Sequence, residues 1–149
     1  MCEKCTISVR VRAGDTDFTG LAYNVRCIEW FSVGRVELFR SLGIRYSSNG
    51  KIIIDDEPQS ISFVIGEVYA RFHSPAKFDE LLELQTQIKD IGDKTVRFEH
   101  KIYKKCDKKL LISGYGTYVC IDKKRTKSTK IPEKILKLLR GHKKGSIKS

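Results

Sequence analysis

The periodicity of the chain changes once, and that change limits the fold more than any other feature. From about Asn24 to Leu42, "NVRCIEWFSVGRVELFRSL" places Ile28, Phe31, Arg35, Leu38, Phe39 and Leu42 at helical spacing. Cys27, Trp30 and Val33 widen the apolar face, and Gly43 is a natural stop. Beyond "SSNGK" the dominant period is two. A helix apolar over so wide a face has to be wrapped rather than laid on a surface. A run of half-buried strands joined by tight turns supplies the wrapping. The order predicts an α+β layer pair in which an antiparallel sheet curls around one long helix.

The strands are read from alternation. "TISVRVRA" (Thr6 to Ala13) sets Ile7, Val9 and Val11 against Ser8, Arg10 and Arg12. "KIIID" is a short strand, and Ser60 to Phe72 is a β-rich one that ends at "HSPAKFDE". "LLELQTQIKDI" and "TVRFEHKIYKK" alternate on either side of the turn at Gly92 to Lys94, which makes them a hairpin. Cys106 to Lys109 turns into a last strand, "LLISGYGTYVCI". Four or five antiparallel strands are therefore expected after the helix. "IPEKILKLLRG" reads as a short amphipathic helix with Pro132 in its first turn. Residues 1–131 are expected to form a single domain, and 132–149 a short basic helix and polar tail that folding and chemistry can spare.

At 149 residues one domain with a proper core is expected, hiding roughly two-thirds of the unfolded surface. The net charge of +11 points to nucleic acid only until it is located. Residues 122–149 hold eleven Lys/Arg against two acids, which is +9 of the total. The tail is basic, the domain is not, and no aromatic residue follows Tyr118 on which bases could stack. No nucleic-acid partner is expected. "MCEKCTISVR" has no apolar core of a signal peptide, and no run approaches the ~18 apolar residues of a membrane span, so a cytoplasmic location is expected. Cys2, Cys5, Cys27, Cys106 and Cys120 are odd in number, and "CEKC" lacks the second ligand pair of a structural zinc site. Free thiols and no metal are expected.

Chemistry converges at one place, the loop "GDTDFTGLAYN" (Gly14 to Asn24) between the first strand and the helix. Asp15 and Asp17 satisfy helix or turn N–H groups in one reading. In the other, an ionised carboxylate lies beside the unpartnered N–H groups and partial positive charge of a helix start. That pairing of a base or nucleophile with oxyanion donors is what acyl transfer needs. Gly14 and Gly20 permit tight turns and close approach by a ligand. The residues alone leave both readings open.

"DTDFTG", a helix containing "WF" and "GRVE", and then "RFHSPAKFDELLELQT" together resemble the hotdog-fold acyl-CoA thioesterases, in particular the 4-hydroxybenzoyl-CoA thioesterase-like group, over roughly Val9 to Ile121. The resemblance implies a hotdog fold and hydrolysis of an acyl-CoA thioester, with coenzyme A entering only as part of the substrate and no cofactor. It implies that Asp17 is the catalytic carboxylate, as nucleophile or general base. Gly20 would let the backbone approach the substrate, and the backbone N–H groups near Tyr23 and Asn24 would polarise the carbonyl. Some members carry a histidine where Asn24 stands. Asp15 is read as turn structure and support for Asp17. Phe18, Tyr23, Trp30 and Phe63 are candidates for either an acyl pocket or the core. Arg71, Lys77 and Arg97 are candidates for coenzyme A phosphates or for a solvated face. A homo-oligomer, a dimer or paired dimers, is implied as well, and open sheet edges point the same way.

Two other functions compete. A hotdog hydratase or dehydratase uses a histidine with an acid near the helix start, and residues 1–72 contain no histidine. A non-catalytic binding module would use the basic tail as an anchor. His73, His100 and His142 have no metal spacing to one another, and His100 reads as a satisfied or exposed strand residue. Glu29 lies more than a turn into the helix, where polarity of the helix surface is its expected role.

Overall fold

A computed structural model describes residues 5–17, 19–124 and 126–142, together with the backbone of 143–148. Strand β1 (Cys5–Arg10) leads through a short 3₁₀ turn (Ala13–Asp15) and the acidic loop into helix α1 (Asn24–Ser41). Strands β2 (Arg45–Tyr46), β3 (Ile52–Ile54) and β4 (Glu57–Pro58) form a small sheet of their own. The long strands β5 (Ile61–Phe72), β6 (Leu81–Ile91), β7 (Thr95–Lys104) and β8 (Leu110–Asp122) follow, then β9 (Lys127–Ser128) and helix α2 (Glu133–Lys148). The main sheet is antiparallel in the order β1-β6-β7-β8-β5, with β9 added to β8. Helix α1 packs against β6, β1, β7 and β8. This is the hotdog arrangement, one long helix held by a curled antiparallel sheet.

The alternation seen in the sequence becomes an inside and an outside. In β6 and β7 every second residue is buried under the helix: Leu82, Leu84, Thr86 and Ile88, then Val96, Phe98, His100 and Ile102. Two apolar clusters result. One joins Cys27, Trp30 and Phe31 to Leu82, Leu84, Ile102, Leu111 and Ile112. The other joins Leu38 and Phe39 to Phe63, Phe98, Tyr118 and Cys120. Between them the helix comes close to the sheet at Gly34, where an added Cβ would run into Thr86 Oγ1. A glycine in mid-helix costs about 1 kcal/mol of helix propensity, so its place here is explained by the approach it permits. Thr86 Oγ1 lies 2.9 Å from His100 Nδ1 in the same layer.

Several expectations are corrected. Val33 does not widen the buried face of α1; it is 41 % exposed, on a flank that the sheet leaves uncovered. Arg35 keeps its helical register because its guanidinium stacks over Tyr118 at 4.3 Å and donates to the Tyr46 hydroxyl at 2.7 Å, so the aromatic layer tolerates a cation. The C-terminal helix is not a spare appendage: Ile135 and Leu139 are fully buried and share the second cluster with Ile131. Short apolar spacing in a basic stretch reads as weak in sequence, yet two well-placed side chains are enough to close that end of the core. No helix among the described residues is long and apolar enough to cross a membrane.

Candidate functional site

The acidic loop is built from the backbone outward. Asp15 is buried, and its Oδ2 accepts the Arg12 N–H at 2.8 Å. Its Oδ1 lies 3.2 Å from Arg26 Nε, so one carboxylate ties the strand exit to the first turn of α1. The Asp15 carbonyl oxygen accepts the Tyr23 N–H at 2.8 Å. That bond occupies the Tyr23 amide, one of the two donors expected at the helix start. No such bond takes the Asn24 N–H among the described residues, which fits an N-terminal helical amide without an intrahelical acceptor.

Asp17 is placed oppositely. Its side chain is exposed to solvent, and Oδ1 accepts both the Thr19 hydroxyl (2.6 Å) and the Thr19 N–H (2.8 Å). Oδ2 has no hydrogen bond among the described residues. The Thr19 hydroxyl, and after it the Thr19 backbone amide, hold the Asp17 carboxyl below its ordinary pKa. The group is thus a fixed, ionised carboxylate with one oxygen free. Gly20 closes the turn, with its N–H on the Asp17 carbonyl at 3.2 Å and φ at +80°, a conformation that an L side chain resists.

A second segment braces the loop. Ala22 N–H donates to the Ala76 carbonyl at 2.7 Å, Phe78 N–H donates to that of Gly20 at 3.1 Å, and Leu21 bridges Lys77. The two sequence signatures, "DTDFTG" and "SPAKFDE", are therefore neighbours, and their joint occurrence has a structural cause. Between them lies a cleft of about 260 Å³ that includes Asp17, Asn24, Cys27, Phe72, His73 and Ile112 in its lining.

The remaining candidates separate. Phe63 is 6 % exposed, packs on Phe39 with ring centroids 5.6 Å apart, and lines no part of the cleft. Alternation could not tell a core aromatic from a pocket aromatic. Trp30 is likewise buried in the core, and Tyr23 is 54 % exposed. Arg97 lies on the sheet face opposite α1, bonded to Thr117 Oγ1 and Glu67. Lys77 is exposed and joins the loop through its backbone, while Arg71 is exposed on β5. Phe18 and Cys2, and with Cys2 the CxxC pair, lie outside the described residues. Glu29 is exposed and pairs with Arg26.

Sequence reasoning missed His73 and Cys27 as cleft residues. His73 had one available signal, its position directly ahead of the Ser-Pro-Ala turn. Its Nε2 lies 2.8 Å from Ser113 Oγ. Burial pushes the Cys27 thiol up to about 11, so it is a neutral wall and not a nucleophile. His100 is neither exposed nor fully satisfied. It stacks on Phe31 at 4.5 Å, its Nε2 has no hydrogen-bond partner among the described residues, and desolvation, then Arg35, push its pKa down to about 3. No group of His, Cys, Asp and Glu among the described residues is arranged to hold a metal ion.

A curled antiparallel sheet around one long helix defines a protein of the hotdog fold. The chain belongs to the thioesterase-like superfamily, whose family model matches residues 11–139. It is 25 % identical over 128 residues to the acyl-CoA thioester hydrolase YbgC of Escherichia coli, covering 86 % of this chain and 90 % of that one. It is 26 % identical over 128 residues to the acyl-CoA thioesterase YbgC of Haemophilus influenzae, covering 85 % and 88 %. In structure it is similar to a DHNA-CoA thioesterase from Staphylococcus aureus, with a TM-score of 0.81 at 16 % identity and coverage of 97 % and 91 %.

Proposed function

We propose that the protein hydrolyses acyl-CoA thioesters, releasing a free acid and coenzyme A, with Asp17 as the catalytic carboxylate. The observation that carries this reading is the joint presence of Asp17 and Asn24 in one cleft of a chain from the thioesterase-like superfamily. Asp17 Oδ2 takes a proton from water as it attacks the thioester carbonyl, or attacks that carbon itself. The Asn24 amide, at the positive end of α1, donates to the developing oxyanion. The tetrahedral intermediate then expels the coenzyme A thiolate, which takes up a proton; where Asp17 itself attacked, water next hydrolyses the mixed anhydride left on it, releasing the free acid and restoring the carboxylate. None of these steps asks for a metal or redox cofactor.

The reading includes a homodimer, with pairing of dimers into a tetramer as a further step. Strand β5 ends the sheet and exposes Val64, Ile65, Val68 and Phe72, a long apolar edge that invites a second copy. Since Phe72 also lines the cleft, pairing there would supply its missing wall. A monomer of about 17.1 kDa in light scattering at micromolar concentration would overturn this part. Free thiols at Cys27, Cys106 and Cys120 favour a reducing compartment, the cytoplasm.

The test is thiol release from a panel of acyl-CoA thioesters, from acetyl through long-chain to aromatic, by the parent and by Asp17→Asn. Asparagine keeps an acceptor for Thr19 and loses the charge, so folding should persist while turnover falls by ~10²–10⁴. Zero release across the panel by the parent would sink the reading. Near-normal turnover by a folded Asp17→Asn protein would reduce the carboxylate to a turn residue.

A further inference from the structure

We propose that His73, held by Ser113, donates the proton that the coenzyme A thiolate takes up as it leaves; this rests on the thioesterase reading above. Two segments meet at the cleft. The loop before α1 brings Asp17 and Asn24, and the chain leaving β5 brings Phe72 and His73. The Ala22 N–H on the Ala76 carbonyl, at 2.7 Å, braces one segment against the other. A thioester carbon attacked from Asp17 and polarised at Asn24 carries its sulfur one bond away, in the same hollow. Those two residues account for the attack and the oxyanion, and they leave the proton for the sulfur without a source.

The other groups lining the cleft are poor donors to a thiolate. As nucleophile Asp17 carries no proton when the sulfur leaves, and as base it stands at the incoming oxygen. Burial raises the Cys27 thiol to about 11, so it holds its proton more tightly than an ordinary thiol, near ~8.5, and does not give it up to one. The Asn24 amide and the Ser74 hydroxyl are weaker acids still. Imidazole is the side chain that exchanges a proton near neutral pH, and His73 is the histidine of this lining.

The ring is anchored at one nitrogen and open at the other. The N–H groups of His73 and Ser74 both donate to the Leu111 carbonyl, at 2.8 and 3.2 Å, which pins the exit of β5 to β8. Ser113, two residues further along β8, sets its Oγ 2.8 Å from His73 Nε2. With Ser113 accepting from Nε2–H, the exchangeable proton is the one on Nδ1, which has no hydrogen bond to a described residue. As the C–S bond breaks, its electron pair passes to sulfur, and sulfur takes the proton from Nδ1. His73 is left neutral. The proton that water gives up, by way of Asp17 or at the anhydride, recharges Nδ1 through solvent, to which His73 is exposed.

The experiment compares the parent with His73→Gln on one acyl group carried by three thiols: coenzyme A, N-acetylcysteamine and 4-nitrothiophenol. The first two are alkyl thiols that leave with a proton, and the second lacks the nucleotide. The third leaves as a thiolate that is stable without one. Glutamine keeps an amide for Ser113, and thermal melts check the fold. For both alkyl thioesters kcat/KM should fall about tenfold or more, while that for the aryl thioester stays within about twofold of the parent's. Ser113→Ala should show the same split at smaller size, and a folded variant without it would remove Ser113 from the assignment. Equal losses on all three substrates would make His73 structural, and a loss on acyl-CoA alone would make it a contact to the nucleotide. Either result overturns the proposal, as does no loss on any substrate. A parent that hydrolyses none of the three would overturn the thioesterase reading, and this step with it.

Discussion

Removing the Asp15 side chain should separate support of the active loop from chemistry. The carboxylate is 2 % exposed and ties together the Arg12 amide, the Arg12 side chain and Arg26. The two guanidiniums count for little, since Arg12 is 79 % and Arg26 39 % exposed and both can rehydrate. What water replaces least well is the part-buried, charge-assisted bond from the Arg12 N–H, worth about 1.5–3 kcal/mol. With a small void added, Asp15→Ala should lose about 2–3 kcal/mol, which for a chain of this length lowers Tm by roughly 4–12 °C. Asp15→Asn keeps an acceptor and should fall between the two. Turnover should drop as well, by about tenfold or more, because the carboxylate's hold on the Arg12 amide and Arg26 keeps in place the backbone that sets Asn24 relative to Asp17. Thermal melts and thiol release measured well below the transition test this together. Asp17→Asn should show the reverse pattern, an unchanged melt and a larger rate loss. An Asp15→Ala protein that melts with the parent, or loses more rate than Asp17→Asn, would refute the division of labour.

Three further outcomes follow from named groups. Thr19→Val removes the hydroxyl that most lowers the Asp17 pKa, so the acid limb of kcat/KM, where the base is lost as pH falls, should move to higher pH; an unmoved limb would contradict the assigned base. His100 is neutral in the fold, with a pKa near 3 against 6.5 unfolded, so the stability it contributes is complete above pH 6.5 and lost as pH falls toward 3. Urea melts should therefore weaken between pH 6.5 and 4.5 with a slope approaching ~1.4 kcal/mol per pH unit from this group, and His100→Gln should remove that part of the slope, leaving the contribution of His142, whose pKa burial also lowers. Deleting residues 132–149 uncovers the second cluster by removing Ile135 and Leu139, each worth about 1.5–3 kcal/mol of burial; a truncated protein with the parent's urea midpoint would show the helix to be dispensable.

Local pattern determined the faces of the long strands and the place of the long helix. Period-two alternation in "LLELQTQIKDI" and "TVRFEHKIYKK" assigned inner and outer faces that the strands keep, because a side chain's face is set by its parity along the strand. Helical spacing located α1 to within a residue, and the acidic loop stood out because its glycines and carboxylates serve no core. Proximity between distant segments was decided only in three dimensions. Asp15 and Asp17 look alike in sequence, yet one is buried on Arg12 and Arg26 and the other is exposed on Thr19. Burial depends on what the rest of the chain lays over a residue, which no window around it contains. For the same reason Phe63 proved to be core, His73 reached the cleft, and Ile135 and Leu139 closed one end of the core. His73 and Ser113 met through strand order, a property of the folded sheet and of no single segment.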